Sequence, residues 1–367
     1  MKNKILSDDF FKNAILKGNS ALFNEFTPSV TEREVGPDVF FEIEKDSDHR
    51  KINERITKFI LSQIPINSSA CGFVQGKSYF DFLNPHIKGY FFLRLDIKKF
   101  FHSIPASEVK SLFKVYFSNT KKEEKYSALD IALMAVLHKT SKSLSDSELR
   151  DKEILPIGFS SSPVISNIIF RKVDILIQKY CEDKNIEYSR YADDLLFSSA
   201  KSNFIHGEQF EREISIFIST LSLRLKKSKR TASENTISLN GYVIQNTKQK
   251  KLFNMFFYKD APIGTIRVSN KKTKIIKKMT ALLRQGKSPI YIMENVFNLN
   301  RKSFKPKYTN NYTFYNRYAT DQLQNKIKGY RSYLVSIIKF NEKYKSIDEK
   351  FLKSAKKLVK ELEDSIP

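Results

Sequence analysis

The sequence predicts an α+β fold: an antiparallel sheet carries an acidic hairpin, and helices supply most of the rest. Three observations lead there. Tyr191-Ala192-Asp193-Asp194 sits between two apolar runs, Ile186-Glu187-Tyr188 and Leu195-Leu196-Phe197, the pattern of a tight hairpin with acids at its turn. Residues 90–97 are aromatic and aliphatic with little polarity, so they read as a buried strand around Asp96. Residues 246–367 read as mostly helical.

Taken in order, residues 1–70 place Ile52, Ile56, Phe59, Ile60 and Ile64 at helical spacing, an N-terminal helical lead. Residues 70–95 are expected to form strands. The central segment, 96–245, holds both acidic elements. Within it, 121–125 and 141–151 are polar surface loops on either side of a short apolar helix at 129–138. In Leu155-Pro156-Ile157-Gly158-Phe159-Ser160-Ser161-Ser162-Pro163, Pro163 fits a first helical position with Ser162 as its N-cap. Ile165, Ile168, Ile169, Val173, Ile175 and Ile177 continue that helix. Gly158 lets a backbone come close to a ligand. Free N–H groups at a helix start suit a phosphate or a template strand, although an ordinary loop-to-helix start has the same sequence. Further on, Ile275, Ile276, Met279, Leu282 and Leu283 form an amphipathic stripe after Lys271-Lys272. Residues 346–364 alternate Lys with Glu or Asp around Phe351, Leu352, Leu358, Val359 and Leu362. That is a docked helix or a partner-binding one, and the pattern fits both.

An Asp-Asp pair by itself is usually a solvated turn, as Asp8-Asp9 reads. An acid at the end of a buried strand is costly unless paired or metal-bound. Lys98 or Lys99 could pair with Asp96. Together, however, Asp96, Asp193 and Asp194 put three acids on two apolar strands. Two Mg²⁺ ions about 4 Å apart need bridging carboxylates from separate elements to transfer a phosphoryl group. Asp96 and Asp193 are the expected bridging ligands, Asp194 is auxiliary, and the carbonyl of Ile97 is an extra oxygen ligand.

The chain has 367 residues, enough for two or three subdomains. It carries 64 Lys and Arg against 40 Asp and Glu, a net charge of +24, which points to a polyanion partner. Residues 251–340 alone hold 19 basic and 3 acidic side chains. Phe256, Phe257, Tyr258, Tyr291, Phe304, Tyr308, Tyr312, Phe314, Tyr315 and Tyr318 are interleaved there, as expected for phosphate contacts and base stacking. Two cysteines, Cys71 and Cys181, form no disulfide framework or metal spacing and are expected to be reduced and buried. Scattered histidines suggest no zinc site. With no signal-peptide pattern and no apolar run near 18 residues, a cytoplasmic protein without a membrane partner is expected. Gly72-Phe73-Val74-Gln75-Gly76-Lys77-Ser78 is one residue short of a phosphate-binding P-loop, so that reading is rejected.

The order of Asp96 with Phe100-Phe101, then Leu155-Pro156 and Gly158 with Ser162-Pro163, then Tyr191-Ala192-Asp193-Asp194, resembles reverse transcriptases, most of all the bacterial retron and defence-associated group. Flanking text extends the resemblance over roughly residues 65–335. Gly72–Ser78 resembles the motif before the first Asp, and Leu223–Thr231, with Lys229 and Arg230, the basic motif after the hairpin. Ser238-Leu239-Asn240-Gly241-Tyr242 resembles a short "grip" hairpin, and 327–333, with Lys328 and Arg331, a thumb segment. The resemblance implies a right-hand polymerase: a helical lead and fingers in 1–95, a palm in 96–245, a basic thumb in 246–340 and a C-terminal helix in 341–367.

It also implies roles. Asp96, Asp193 and Asp194 become the catalytic triad for Mg²⁺, with Mn²⁺ as a substitute. Phe101 matches the ring that excludes a ribose 2′-OH and so selects dNTPs. Tyr191 lies under the primer end, Gly158 near the incoming nucleotide or template base, and Lys77 at the triphosphate. Lys229, Arg230, Lys271, Lys272, Lys328 and Arg331 contact nucleic acid. Two departures stand out: Ile157 replaces the family's usual Gln, and Leu239-Asn240-Gly241 replaces the retron group's frequent Val-Thr-Gly. A retron enzyme copies its own structured noncoding RNA into complementary DNA, leaving an RNA–DNA hybrid (msDNA), and works with a separate effector protein in antiphage defence. The alternatives are a defence enzyme with atypical or template-independent DNA synthesis, which Ile157 raises, and a non-catalytic RNA-binding module.

Overall fold

The computed structural model describes residues 5–36, 38–121, 123–246, 263–300 and 311–365. The chain divides into two compact units. The first holds 1–85 and 91–232, and the second holds 86–90 and 233–367.

The sheet of the first unit is built as the apolar runs require. In order across it run Glu187–Tyr191, Asp194–Ser199 and Phe91–Asp96, antiparallel throughout. Every residue of Asp194–Ser199 is buried, as in a strand covered on both faces. The register sets Asp96 opposite Asp194, and Tyr191 opposite Asp194. The expected hairpin is therefore present, with Ala192 and Asp193 at its turn.

Behind the sheet lies the helix Ser162–Glu182, which begins earlier than the sequence suggested. Its N-cap is Ser161, not Ser162, and no side chain caps it. The Ser161 hydroxyl instead accepts a hydrogen bond from Asn53 Nδ2 at 2.8 Å. The expected apolar helix at 129–138 is Ala128–Val136, started by a capping box between Ser127 and Asp130.

The N-terminal region departs from the expected all-helical lead. Asp48–Phe59 is a helix that buries Ile52 and Ile56, but Val30–Val35 and Asp38–Ile43 form a β-hairpin. Val39, Phe41 and Ile43 alternate inward and pack with Leu144, Leu149, Ile154 and Phe159. The strands expected over 70–95 reduce to Phe91–Asp96. Upstream, Ser78 and Asp81 form a capping box that starts the helix Tyr79–Leu83, so local capping outweighs the aromatic β-propensity there.

The second unit opens with a hairpin of Thr236–Leu239 and Tyr242–Gln245, extended by Thr265–Val268. Asn240 and Gly241 have φ of 46° and 89°, the turn that Asn-Gly favours. Helices Asn270–Arg284, Pro289–Phe297, Asn311–Tyr344 and Glu349–Glu363 follow. The last buries Phe351, Ala355, Leu358 and Leu362 and is docked on Asn311–Tyr344. Both cysteines are free and buried. Among the described residues no helix is long and apolar enough to cross a membrane.

Candidate catalytic site

The acidic turn is fixed from several directions. Ala192 takes a left-handed φ of 55°, which a residue with a Cβ adopts only when its surroundings require it. The Asp193 carbonyl accepts from the Ile97 N–H at 3.0 Å, joining the turn to the end of the Asp96 strand. The Asp96 carbonyl in turn accepts from the Lys226 N–H at 2.7 Å. On the other side, the Cys71 N–H donates to the Arg190 carbonyl at 2.7 Å. Gly72 lies so close to the turn that a Cβ there would meet the Ala192 nitrogen at 2.7 Å.

Arg190 holds the turn from beneath. It is fully buried and donates to both oxygens of the buried Asp174, at 2.9 and 2.7 Å. Its third contact goes to the Ala192 carbonyl at 3.1 Å. The Tyr188 hydroxyl completes the set by donating to Asp174 at 2.8 Å. A buried charge of this kind is tolerated only when its hydrogen bonds are met, and here they are.

The three acids are not equivalent. Asp194 is gripped by Arg94, whose Nε and Nη2 donate to its carboxylate at 2.6–2.8 Å. Asp96 is buried, and its Oδ2 accepts from Lys229 Nζ at 2.7 Å. Its Oδ1 is buried and has no hydrogen-bond partner among the described residues. Burial pushes the Asp193 carboxyl up to about 6, and the charges of Asp96 and then Asp194 add to the rise. Among the described residues no three His, Cys, Asp or Glu side chains form a ready cluster for a metal ion. Asp96 and Asp193 still fit a divalent cation: one has an orphaned buried oxygen, the other carries a carboxyl strained by like charge, and both deficits call for positive charge. The two lysines weighed as partners of Asp96 go elsewhere. Lys98 pairs with Glu148 at 2.7 Å, and Lys99 with Asp146 and Glu148.

An aromatic group lies beside the acids. Tyr191 is half-buried with its ring centroid 4.9 Å from Tyr79 and 6.0 Å from Phe82. Phe101 is half-buried, 5.4 Å from Phe100 and 6.2 Å from Phe73. His102, next in sequence, accepts from the Ile157 N–H at 3.2 Å, while the Ile157 carbonyl accepts from Phe41 at 2.9 Å. Burial lowers His102 to about 4, which keeps its ring neutral and able to accept that bond.

Two candidate residues have structural duties that sequence reading did not foresee. Gly158 has a φ of 114°, and a Cβ there would lie 2.1 Å from the Phe41 carbonyl oxygen. The chain's own backbone approaches it closely there. Lys77 places its ammonium against the Ser68 and Ala70 carbonyls at 2.5 and 2.8 Å, closing its loop.

The expected nucleic-acid contacts divide in the same way. Arg230 bonds Glu211 and the His206 carbonyl in the first unit. In the second unit, Arg331 pairs with Glu363, and Lys272 lies 4.0 Å over the Tyr333 ring. Lys271 and Lys328 are exposed. Phe256, Phe257, Tyr258, Phe304 and Tyr308 lie outside the described residues.

Residues 45–251 match the family model described as reverse transcriptase (RNA-dependent DNA polymerase). The chain belongs to the reverse transcriptase family. Among curated relatives of this reverse transcriptase family chain, the retron Ec83 reverse transcriptase of Escherichia coli is 31% identical over 153 residues, covering 41% of this chain and 45% of the relative. The retron Ec73 reverse transcriptase of the same organism is 32% identical over 145 residues, covering 38% and 43%. The retron Mx65 reverse transcriptase of Myxococcus xanthus is 26% identical over 162 residues, covering 41% and 35%. The matched stretch spans less than half the length of each of these relatives. A telomerase structure from Candida albicans, in complex with a telomeric RNA fragment, aligns with a TM-score of 0.44 at 11% identity, covering 94% of this chain and 64% of that one. All three acids, the Phe101 ring and the Gly72 loop fall inside the family match. Arg94, Asn167, Asp174 and Arg190 fall inside it too, and sequence reasoning gave them no role. Arg190 carried a visible signal, since it directly precedes Tyr191 in the strand that leads into the acidic turn.

Proposed function

We propose that this chain is an RNA-directed DNA polymerase of the retron type. The observation that carries the reading is the meeting of Asp96 and Asp193 at the tip of the acidic hairpin, with one buried carboxylate oxygen left without a partner among the described residues. The family match and the retron relatives support it. On this reading the hairpin unit supplies fingers and palm, and the basic segment from 246 to 340 supplies the thumb.

Asp96 and Asp193 would hold the divalent cation, Mg²⁺ or Mn²⁺ in its place, with the Ile97 carbonyl as an added oxygen. When bound, that cation supplies charge neutralisation for phosphoryl transfer to a primer hydroxyl. The chain's own residues set the frame. Arg94 fixes Asp194 so that it shapes the local field. Lys229 keeps a positive charge beside Asp96. Phe101 excludes a ribose 2′-hydroxyl by overlap, which selects dNTPs. The template and primer would be a structured noncoding RNA, its product a complementary DNA, and its setting a cytoplasmic defence system with a separate effector protein.

Primer extension tests the reading. The wild-type chain should extend a primer with dNTPs and Mg²⁺, and Asp193→Asn should lose on the order of a hundredfold or more. Near-native extension by that variant would sink it. Sequencing the nucleic acid that copurifies then examines the template. RNA joined to complementary DNA is expected, whereas DNA without a complement in the RNA would favour template-independent synthesis.

A further inference from the structure

Phe73 is the aromatic residue of the Gly72 loop. It is 55% exposed, while Phe80, Phe82, Phe91 and Phe92 nearby in sequence are buried. Its backbone is left-handed, with φ of 58°, a conformation that residues with a Cβ avoid. The loop around it is firmly anchored. The Gly72 carbonyl accepts from Asn167 Nδ2 at 2.9 Å, Cys71 bonds the hairpin strand, and Lys77 ties back to the Ser68 and Ala70 carbonyls. These anchors hold Phe73 in an unfavourable conformation with about half of its surface open to solvent. Such strain persists where the surroundings impose it, and it concentrates at ligand sites.

The exposed ring has definite neighbours. Its centroid is 6.2 Å from Phe101 and 6.2 Å from Tyr191, with interplanar angles of 65° and 38°. It therefore joins the ring expected to face the sugar with the ring expected to lie under the primer end. An isolated exposed Phe needs no explanation. A strained, anchored one between two such rings, in the loop packed against the acidic turn, is different. We propose that Phe73 is a nucleobase-stacking residue of this site. This rests on the polymerase reading above and adds a substrate contact to it. The ligand chemistry is a flat, uncharged π-face, which every base offers whatever the sequence. The base belongs either to the incoming nucleotide or to the terminal residue of the bound strand.

The test uses the full chain with 2-aminopurine, whose fluorescence is quenched on stacking and needs no turnover. One arm carries it at the 3′ end of a primer on its template. The other supplies it as the incoming triphosphate with a chain-terminated primer. Phe73→Ala should lose the quenching in one arm and weaken that ligand about tenfold, and Phe73→Tyr should restore both. In extension assays a nucleotide contact raises KM for dNTP at unchanged kcat. Melting temperature should stay at the wild-type value, since the ring is exposed. Unchanged quenching and affinity of Phe73→Ala in both arms would overturn the proposal. A wild-type chain that fails to extend, yet quenches 2-aminopurine through Phe73, would defeat the polymerase reading and leave the stacking role standing.

Discussion

Asp193 is the residue on which charge, burial and chemistry converge. Its carboxyl is raised from 3.8 to about 6 by burial and by two neighbouring carboxylates. A group raised in the folded state stabilises that state below its unfolded value, and the contribution is lost as pH rises through the folded one. Without divalent cation, stability should therefore fall between about pH 4 and pH 6. Asp193→Asn should remove that decline and leave the chain more stable above it, by at most about 3 kcal/mol. Melting curves in chelator on both sides of that window would check this, and parallel curves for the two proteins would contradict it. The three acids were legible from their setting at the ends of apolar runs. Arg94 was not, because an Arg in a strand gives no sign of which cross-strand acid it will meet. Pairing register decides that, and register is a tertiary fact.

At the scale of elements, the hairpin, the Ser162 helix and the Asn-Gly turn could be read from period, Pro and Gly. The Val30–Val35 and Asp38–Ile43 hairpin could not. Its inward residues Val39, Phe41 and Ile43 alternate, but Phe40 on the opposite face is apolar as well, and the partner strand is charged. That mixture hides a period of two. Two glycines now separate stability from positioning. Gly158→Ala drives a methyl into the Phe41 carbonyl at a left-handed φ, so it should destabilise the fold by about 2 kcal/mol or more. Gly72→Ala has no positive φ to strain, and its methyl meets the turn backbone, at the Ala192 nitrogen and the Tyr191 Cα and carbonyl carbon. It should shift Asp193 and lower extension more than it lowers melting temperature. Equal losses of stability in the two variants would count against this division.

For the whole molecule, charge was the most legible property and the contacts it makes were the least. A net charge of +24 points to a polyanion partner, but not to the side chains that would meet it. Arg230, Arg331 and Lys272 spend their charge on internal partners, as side-chain contacts can show and composition cannot. Binding to a primer–template should still depend steeply on salt. With about six phosphates contacted, affinity should fall roughly a thousandfold between about 50 and 200 mM salt. A flat salt response in a filter-binding titration would rule out phosphate contacts as the main source of affinity.

The two buried thiols also have a practical consequence. Burial raises Cys71 to about 11 and Cys181 further still, so both stay protonated at neutral pH and are shielded from reagents. The native chain is thus a silent background for maleimide chemistry. A single cysteine introduced at an exposed position such as Lys271 or Lys328 would carry a fluorophore without first removing either natural one, and its emission could then report nucleic-acid binding to the second unit in solution on an otherwise unaltered protein.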